Sequence, residues 1–536
     1  MTPSTVDRTT ERSDRGSVLR ILAGVSSAVL ICLLVFNPVS NNDVWLQIKI
    51  GELIVKEGAI PQTLLFPFGP IADNAFQAHE WLASILVYLF ERATNHDALI
   101  WLQGGIAIAQ FVLCFILAMR VSGSLGAATG LAVMAMTTAN FRNLLRPELY
   151  AVALMIGLLI VLDAYRTARR WPTLLWCVPI SVLWANMHGS FILAPVMAAL
   201  FAAGAALENL QPQLKSGGLR FAHPDWRSAL GATLPWAGAA AAMLLGAMVN
   251  PEGYRLLAFP FTLHASKAVM SGIYEWLPTL SPLMLGTLGV RIFLGVACLV
   301  GLVVAALRRH LRWTDAVLLL AFTALAFDRN RFIVFFGFIA LYVIAGLIAR
   351  WPRRGAFEPW LLASVTLACA VGIAVTMLYG NAQGCRPYEC RSDNMSVLMA
   401  EAVNRPEVSG NVLNSYELGA ELIYRAWPRL RPSIDSRVDS YGDDYFHLHQ
   451  YVLTHDAAME EYAVASDVRY ILLTWRDYEV VKERPILHAH WHRLVGDHKM
   501  VLLERNANAD VAPLPDREKP VVPPEASAIQ APQAGR

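Results

Sequence analysis

The sequence predicts an α-helical polytopic membrane protein, with about eleven transmembrane helices and a small C-terminal α/β extracytoplasmic domain. Hydrophobic residue types make up 55% of the 536 residues and charged types only 16%, against about 25% charged in an ordinary globular domain. Lys and Arg number 44 and Asp and Glu number 42, so the net charge is only +2. This composition excludes a disordered chain, a coiled coil and a cationic nucleic-acid-binding protein. The expected partners are therefore a membrane and its lipids, with no nucleic acid.

Eleven apolar stretches are candidates for crossing a bilayer, which takes about 20 apolar residues. Each must form a helix, because lipid offers the backbone no hydrogen-bond partner. The first stretch could instead be a cleavable signal peptide, but residues 37–40 form a weak cleavage site. The stretches are 19–36, 98–119, 121–138, 150–165, 172–187, 189–207, 229–249, 283–307, 314–327, 332–349 and 357–379.

Lys and Arg are distributed unequally between the segments that connect these spans. If the N-terminus is cytoplasmic, the inside segments carry 17 Lys and Arg in 63 residues, and the outside loops before the last span carry 9 in 109. The positive-inside rule favours that orientation. An odd number of spans then places everything after residue 379 on the outer side.

Four parts are predicted along the chain. Residues 1–18 are a cytoplasmic tail, and 19–379 form the transmembrane domain with a long first outer loop at 37–80. Residues 380–506 are predicted to form the extracytoplasmic α/β domain, because strand and helix patterns alternate there. Pro and Ala are in excess at 507–536 without periodicity, which predicts a disordered tail. The strand patterns lie at 411–414, 432–435, 468–473 and 500–503.

Two cysteines, Cys385 and Cys390, lie just beyond the last span. In an oxidising compartment this pair can close a disulfide. A metal site is the alternative, but it would need more ligands than this stretch supplies. We therefore predict a disulfide between them.

Clusters that mix Asp, Glu, His, Arg and Trp fall on the predicted outer side, whereas the inside loops carry mainly positive charge. Charged groups at a membrane boundary are costly unless they are solvated or paired. The one-sided clustering therefore indicates a shared site. The alternative is an aromatic belt with ordinary loop solvation.

The first outer loop opens with Asp43, about six residues beyond the first span. Residues 45–57 have the pattern of an amphipathic interfacial helix, which Pro61 is predicted to end. A second hydrophobic stretch begins next to Glu80. If the helix folds back, Asp43 and Glu80 come near each other at the membrane–water boundary. The apolar residues expected in the interface are Trp45, Ile48, Leu53 and Val55.

This order of features resembles the GT-C superfamily of polytopic glycosyltransferases, which use polyprenyl-phosphate sugars. More narrowly, it is similar to a group of bacterial multi-spanning proteins. The chain departs from one superfamily pattern, because many members have two adjacent acidic residues in the first loop and Asp43 lies between Asn42 and Val44. The motifs that carry the resemblance are Asp43-x-Trp45, Gly58-x-Ile60-Pro61, His79-Glu80-Trp81-Leu82, Asn186-x-His188-Gly189, Asn414-Ser415-Tyr416-Glu417-Leu418-Gly419 and Ile434-Asp435-Ser436-Arg437.

The resemblance implies transfer of a sugar from a lipid phosphate to an envelope acceptor, at the outer face of a bacterial inner membrane. The C-terminal domain would then be periplasmic and the lipid-linked sugar a partner. Asp43 and Glu80 are the predicted catalytic residues, with Asp43 as the base for the acceptor hydroxyl. The alternative for Asp43 is the N-cap of the following helix. No cofactor is named by the sequence, and a divalent cation that orients the acceptor is one alternative.

The leaving lipid phosphate needs positive charge, which Arg supplies through its planar fork. Arg291 is the least expected of the candidates, because it lies about eight residues into its span, roughly 12 Å deep. At that depth it is expected to face the bundle interior. Snorkelling to the headgroups is the alternative for all of these arginines. The predicted donor-phosphate ligands are Arg142, Arg146, Arg291, Arg329 and Arg331.

Polar residues of the outer loops and the C-terminal domain are predicted to bind the acceptor. Turn and cap chemistry is the alternative for those that follow strands, and His188 could also bind a metal with His79 or Glu80. The predicted acceptor residues are Trp45, His79, His188, Glu275, Tyr416, Glu417, Asp435 and Arg437.

A transporter or a non-catalytic scaffold for envelope polysaccharide is the alternative function. A transporter needs a site that is reachable from both sides of the membrane. Only Arg291 is predicted at any depth, and the other polar clusters lie at one surface. The one-sided clustering therefore favours an enzyme.

Overall fold

The computed structural model describes residues 5–36, 39, 41–215, 226–382 and 395–506. The predicted disulfide between Cys385 and Cys390 and the predicted disordered tail at 507–536 lie outside these residues. By its internal contacts the chain divides into two compact units. We call them the helical unit (1–38, 98–257 and 277–390) and the sheet unit (39–97, 258–276 and 391–536).

Helices form most of the described chain. In order they are α1 (Thr5–Val35), α2 (Asn42–Glu57), α3 (Trp81–Ala93), α4 (Leu99–Ser122), α5 (Leu125–Ala139), α6 (Pro147–Ala168), α7 (Cys177–Met187), α8 (Leu193–Lys215), α9 (Trp226–Ala247), α10 (Phe259–Ala265), α11 (Lys267–Gly272), α12 (Pro282–Leu285), α13 (Leu288–Leu307), α14 (Trp313–Asp328), α15 (Ile333–Arg350), α16 (Arg354–Ala382), α17 (Val397–Asn404), α18 (Gly419–Ala426), α19 (Val438–Tyr441), α20 (Asp443–Thr454), α21 (Asp456–Ala465), α22 (Trp475–Val481) and α23 (Pro485–His490). The strands are β1 (Gly410–Asn414), β2 (Leu430–Pro432), β3 (Val468–Thr474), β4 (Trp491–Gly496) and β5 (Met500–Arg505).

A helix forms at each of the eleven predicted stretches, and the polytopic helical fold class is confirmed. Eight helices in the described ranges are long and apolar enough to cross a membrane. The other three, α5, α7 and α14, have 15, 11 and 16 residues, below the usual 17 to 25. The count of eleven spans therefore stays a prediction, and so does the orientation that depends on its odd parity.

The helical unit is built around α15, whose residues 333–347 are all buried. A helix that is apolar all round belongs in a core. On another side of the unit, small residues of α5 let α16 approach closely. A Cβ on Gly130 would lie 2.7 Å from Val365, and one on Gly126 would lie 3.1 Å from Leu361. Without a hydrophobic force between helices in lipid, such close packing supplies the attraction.

A buried charged network joins one end of α6 to α14 and α15. The guanidinium of Arg166 bonds Asp163 and Asp315 at 3.1 Å each, and Arg350 bonds Asp315 at 2.5 Å. Tyr342 donates its hydroxyl proton to Asp163 at 3.1 Å. Each buried charge therefore has an opposite partner, which offsets the cost of desolvation. In the sequence analysis, Arg166 and Arg350 were counted only among the Lys and Arg of the predicted inside loops, and this network was not predicted.

The sheet unit contains a five-stranded sheet in the order β2-β1-β3-β5-β4. The first three strands are parallel, and β5 and β4 are antiparallel to their neighbours. Side chains alternate between two faces, as the strand period of two requires. One face packs on α17 and α18 through Val412, Tyr470, Leu472, Met500 and Leu502. The other packs on α20, α21 and α22 through Leu413, Ile471, Leu473, Val501 and Leu503.

Three of the four predicted strands form at β1, β3 and β5. The strand predicted at 432–435 forms two residues earlier, at β2. The pairing of β1 with β2 ends at Pro432, and the next amide, of Ser433, is shared between the carbonyl of Val412 at 2.8 Å and Oδ1 of Asn414 at 2.9 Å. The strand β4 was not predicted, because its exposed His492 and Arg493 break the apolar pattern. Such charges are common on edge strands, where they oppose further pairing.

The first outer loop folds against the C-terminal strands within the sheet unit. Arg437 donates to the carbonyl of Leu64 at 2.8 Å, and Arg431 donates to the carbonyl of Pro67 at 2.8 Å. The amide of Phe68 donates to the carbonyl of Pro432 at 3.3 Å. The sequence assigned this loop to the transmembrane domain, since contacts more than 350 residues apart leave no local signal. The predicted boundary at 379 and 380 stays a prediction.

Two helices of this loop, α2 and α3, pack closely at Gly51. A Cβ at Gly51 would lie 2.2 Å from the carbonyl oxygen of Ser84 and 2.8 Å from Tyr88. Backbone cannot yield as a flexible side chain can, so only glycine fits. The helix α2 ends at Gly58, whose left-handed conformation (φ 68°) closes the helix as C-terminal glycines commonly do. Pro61, the predicted terminator, lies three residues further on.

We expect Gly51→Ala to force α2 and α3 apart and to destabilise the sheet unit by about 1–3 kcal/mol, the usual cost of overpacking. Thermal unfolding of the purified full chain measures this. Gly157→Ala is the matched control, because a Cβ there meets nothing within 4 Å and alanine favours helix. Equal melting temperatures for the two variants would contradict the close packing.

Candidate functional site

Asp43 lies in the first turn of α2, directly after the first span, and Asn41 caps that helix. The amide of Asp43 donates to Oδ1 of Asn41 at 3.0 Å. The alternative role of Asp43 as N-cap is therefore wrong, because the capping oxygen belongs to Asn41. A carboxylate in the first helical turn also interacts favourably with the helix dipole, worth typically 0.3–1 kcal/mol.

The two predicted catalytic carboxylates lie at opposite ends of the α2–α3 pair. Trp45 near the start of α2 stacks on His96 beyond the end of α3, with ring centroids 4.2 Å apart. Gly51 in the middle of α2 meets Ser84 in the first turn of α3, so the helices run antiparallel. At 1.5 Å per residue, Asp43 and Glu80 are separated by roughly 18 Å along the pair. The expectation that they lie near each other is therefore wrong.

Glu80 lies instead beside His79 at the start of α3. Nε2 of His79 is 3.6 Å from Oε1 of Glu80, and its Nδ1 is 3.0 Å from the carbonyl of Gln77. The ring packs on Phe259 at 4.1 Å between centroids. Burial alone would lower the pKa of His79, but the hydrogen bond and charge of Glu80 and the charge of Asp439 outweigh it and raise that pKa. His79, Glu80 and Asp439 therefore form a local cluster in which the two carboxylates favour the charged form of the imidazole.

Trp45 is fully buried rather than presented to an acceptor or to lipid. Beside its stack on His96, its ring lies 4.8 Å from that of Tyr424, and the guanidinium of Arg425 lies 5.8 Å from its centroid. Ile48 and Leu53, also expected in the membrane interface, are buried too, and only Val55 is exposed. The apolar side of α2 therefore packs against protein.

Asp435 and Arg437, two predicted acceptor residues, form a buried ion pair at 2.6 Å. Tyr441 donates to the same carboxylate at 2.9 Å, and the rings of Phe66 and Phe76 lie 4.9 and 4.7 Å from the guanidinium. No face of this pair is presented to a ligand in the described sheet unit. These contacts correct the prediction that Asp435 and Arg437 bind an acceptor. They support the alternative structural role, in which the pair stabilises the local turn and holds the first outer loop.

Tyr416 and Glu417 lie after β1, at the carboxyl end of the parallel strands. Tyr416 donates its hydroxyl proton to the carbonyl of Ser436 at 3.2 Å. Glu417 accepts from Arg476 at 2.8 Å, and Arg476 lies in the first turn of α22, directly after β3. Sequence reasoning passed over Arg476, although strand ends were its stated signal. Glu275 lies half-buried on the short 3-10 helix Tyr274–Trp276.

In the helical unit, Arg142 is engaged by a carboxylate. Its Nε donates to Oε2 of Glu148 at 3.0 Å, and both side chains are buried. They line a small cavity together with Gln110 and Asn143. Arg142 therefore balances Glu148 and is a weaker candidate for a phosphate than the sequence suggested.

Arg146, Arg329 and Arg331 lie at helix starts in the helical unit. Arg146 precedes α6, and Arg329 follows α14, where its Nε lies 3.4 Å from Asp328. Arg331 belongs to the short 3-10 helix Asn330–Phe332 that leads into α15. Sequence order brings Arg329 and Arg331 together, and both stay candidates for the donor phosphate.

Arg291 is exposed and lies in the first turn of α13, which begins at Leu288. Its depth along the helix is about 4.5 Å rather than 12 Å, because residues before 287 belong to the separate helix α12. Its Nε donates to the carbonyl of Leu285 at 3.1 Å. The expectation that Arg291 faces the bundle interior is therefore wrong.

We expect Arg291→Gln to keep function within about twofold, because an exposed side chain that caps a neighbouring turn contributes little. Loss of a phosphate ligand would instead cost about tenfold or more, since charge-assisted bonds are the strong ones. Complementation of a deletion strain at matched expression measures the difference. A tenfold loss at normal expression would return Arg291 to the donor site.

His188 serves as a cap in the helical unit. Its Nδ1 accepts from the amide of Ser190 at 3.2 Å and lies 2.7 Å from that residue's hydroxyl. Across the part of the chain that the structure describes, no group of three or more His, Cys, Asp or Glu residues is arranged to hold a metal ion.

No protein-family model and no curated protein matches this sequence. Solved structures do match along most of the chain. An oligosaccharyltransferase, AglB from Archaeoglobus fulgidus with an inhibitory peptide and a dolichol-phosphate, aligns with TM-score 0.54 and 12% identity over 92% of this chain and 74% of that one. ArnT from Cupriavidus metallidurans, bound to undecaprenyl phosphate, aligns with TM-score 0.51 and 14% identity over 91% and 98%.

Both of these proteins are GT-C glycosyltransferases. At such low identity the matches show the fold, and this chain has the GT-C fold. The resemblance found in the sequence is therefore confirmed at the level of architecture, a multi-pass membrane protein with a small C-terminal sheet.

Proposed function

We propose that the chain is a membrane glycosyltransferase, which moves a sugar from a polyprenyl-phosphate donor to an acceptor at the outer face of a bacterial inner membrane. The observation that carries the proposal is the position of Asp43. It follows the first span and lies in the first turn of α2, where Asn41 and not Asp43 supplies the capping oxygen. Support comes from the GT-C fold, whose solved examples include proteins bound to dolichol-phosphate and undecaprenyl phosphate.

In the proposed reaction, the acceptor hydroxyl attacks the anomeric carbon of the donor sugar. The bond from that carbon to the phosphate oxygen breaks, and the lipid phosphate leaves with the electron pair. Asp43 takes the proton of the acceptor hydroxyl as general base. The leaving phosphate needs positive charge, and the candidates that the sequence names for it and the contacts leave standing are Arg146, Arg329 and Arg331. Arg142 and Arg291 are left out of this role because of the contacts above.

A transfer assay tests the proposal. Purified chain in liposomes is given polyprenyl phosphate that carries a radiolabelled sugar, with the envelope fraction of a deletion strain as acceptor. We expect label to leave the lipid and to enter the water-soluble glycan only when the chain is present. Label that stays on its lipid but changes sides of the membrane would instead establish a transporter. No movement of either kind, by protein that complements the deletion, would favour a scaffold.

A further inference from the structure

The parallel strands β1 and β3 are neighbours whose following segments leave toward opposite faces of the sheet. Residues Leu413 and Asn414 of β1 pair with Ile471 and Leu472 of β3. After β1 the chain enters α18 on one face, and after β3 it enters α22 on the other. In open α/β sheets such a divergence leaves a crevice outside the carboxyl ends of the two strands, where ligands bind. We call this place the β1–β3 crevice, formed by Ser415, Tyr416, Glu417 and Thr474–Asp477.

Hydrogen bonds hold the two sides of the β1–β3 crevice at a fixed separation. The hydroxyl of Ser415 donates to Asp477 at 2.5 Å and accepts from the amide of Thr474 at 3.0 Å. The amide of Ser415 donates to the carbonyl of Leu472 at 2.9 Å. Ser415 is itself buried, so these bonds are protected from water. A site with fixed walls loses little entropy when a ligand binds.

The rim of the crevice carries a charged pair and an aromatic ring. The guanidinium of Arg476 is 76% exposed and the Glu417 side chain 41%, and they are joined at 2.8 Å. Trp475 is half-buried, with its ring 5.4 Å from that of Tyr478. The rim thus combines bidentate donors, bidentate acceptors and an apolar ring.

The chemistry of this rim selects among ligand classes. A peptide cannot add itself as a strand here, because β1 and β3 are both interior strands of the sheet. A polyanion is disfavoured, since Glu417 and Asp477 bring two negative charges against the one of Arg476. A neutral, hydroxyl-rich ligand fits, because its hydroxyls both donate and accept and its ring carbons pack on an indole.

We propose that the β1–β3 crevice binds a neutral saccharide, and that the acceptor of the transferred sugar is therefore a glycan chain. The statement that this glycan is the acceptor rests on the proposed function, whereas the binding of a glycan by the crevice does not depend on it. Trp475 supplies the stacking face, and Arg476 with Glu417 binds ring hydroxyls.

The test is binding of a glycan probe to the full chain in nanodiscs, followed by biolayer interferometry. The probe is the neutral polysaccharide from the envelope of a strain lacking this gene, freed of lipid and protein. Wild-type chain should bind it, and Trp475→Ala and Arg476→Ala should each weaken binding at least about tenfold. Val480→Ala on the same helix is the matched control, because Val480 is 67% exposed outside the crevice, and it should bind as wild type does.

Three results would overturn the proposal: no binding by the wild-type chain, equal binding by Arg476→Ala and Val480→Ala, or an equal loss in both. Trp475 is partly buried, so the folding of Trp475→Ala is checked by thermal unfolding. If Trp475→Ala does not fold, the result for Arg476→Ala decides the test. Transfer is measured separately in the liposome assay. Transfer without glycan binding would refute the crevice alone, and binding without transfer would refute the proposed reaction alone.

Discussion

Asp43→Asn is expected to lower sugar transfer by about 10²–10⁴-fold, the usual cost of losing a general base, at normal expression and membrane insertion. A neutral amide cannot accept the proton of the acceptor hydroxyl. The structural cost should be small, because Asn41 and not Asp43 caps α2. The favourable interaction of a carboxylate with the helix dipole is lost, which is worth at most about 1 kcal/mol. Complementation of a deletion strain and the liposome assay both measure the effect.

Two control variants separate charge from structure in the same loop. Asn41→Ala removes the cap but keeps the Asp43 carboxylate, so it should cost about 1 kcal/mol of stability and keep most of the activity. Asp73→Asn makes the same chemical change at an exposed acid of the first outer loop and should change neither. Full activity in Asp43→Asn would refute catalysis at Asp43 and would favour a scaffold or a transporter as the function of the chain.

Asp435→Asn is expected to destabilise the sheet unit by about 3–5 kcal/mol, because it leaves the buried charge of Arg437 without its partner. Arg437 lies between two phenyl rings and cannot reach water to recover its hydration. The bond from Arg437 to Leu64 would weaken with it, and the first outer loop would lose its anchor. The measurement is thermal unfolding of the full chain, with protease cleavage in the 59–80 segment as a second readout.

The control for this prediction is Glu479→Gln, which removes an ion pair with Lys482 that is exposed on the surface of the same unit. Exposed pairs contribute little, so its melting temperature should equal that of the wild type. A double variant, Asp435→Leu with Arg437→Met, should regain part of the loss, since apolar groups can replace a buried pair. A wild-type melting temperature in Asp435→Asn would show that Arg437 is not held as described.

Local signals in the sequence were enough to find the helices and most strands of this protein. A run of apolar residues long enough to span lipid must be helical whatever surrounds it, and all eleven stretches are helices. The side chains of β1, β3 and β5 alternate between two buried faces, so both sets are apolar and the runs of apolar residues predicted these strands. The edge strand β4 escaped because exposed charges interrupt its pattern.

The position of Asp43 after the first span also followed from the sequence, but the surroundings of the site did not. Capping depends on which of two neighbouring residues, Asn41 or Asp43, supplies the oxygen, and composition favours neither. The distance between Asp43 and Glu80 depends on the direction in which α2 and α3 cross. That direction is seen only in the contacts of Gly51 with Ser84 and of Trp45 with His96, which no spacing in the sequence reveals.

Sequence by itself determined which residues are apolar and where the chain turns, because both follow from side-chain chemistry over a few neighbours. Only the tertiary structure decided what each surface meets. Periodicity cannot tell lipid from protein interior, since both are apolar, and so Trp45 was expected in the membrane interface but is buried in protein. Pairing of charges likewise depends on residues far apart in the chain. Arg437 became an anchor for Leu64, and Arg291 an exposed cap, through contacts that folding alone creates.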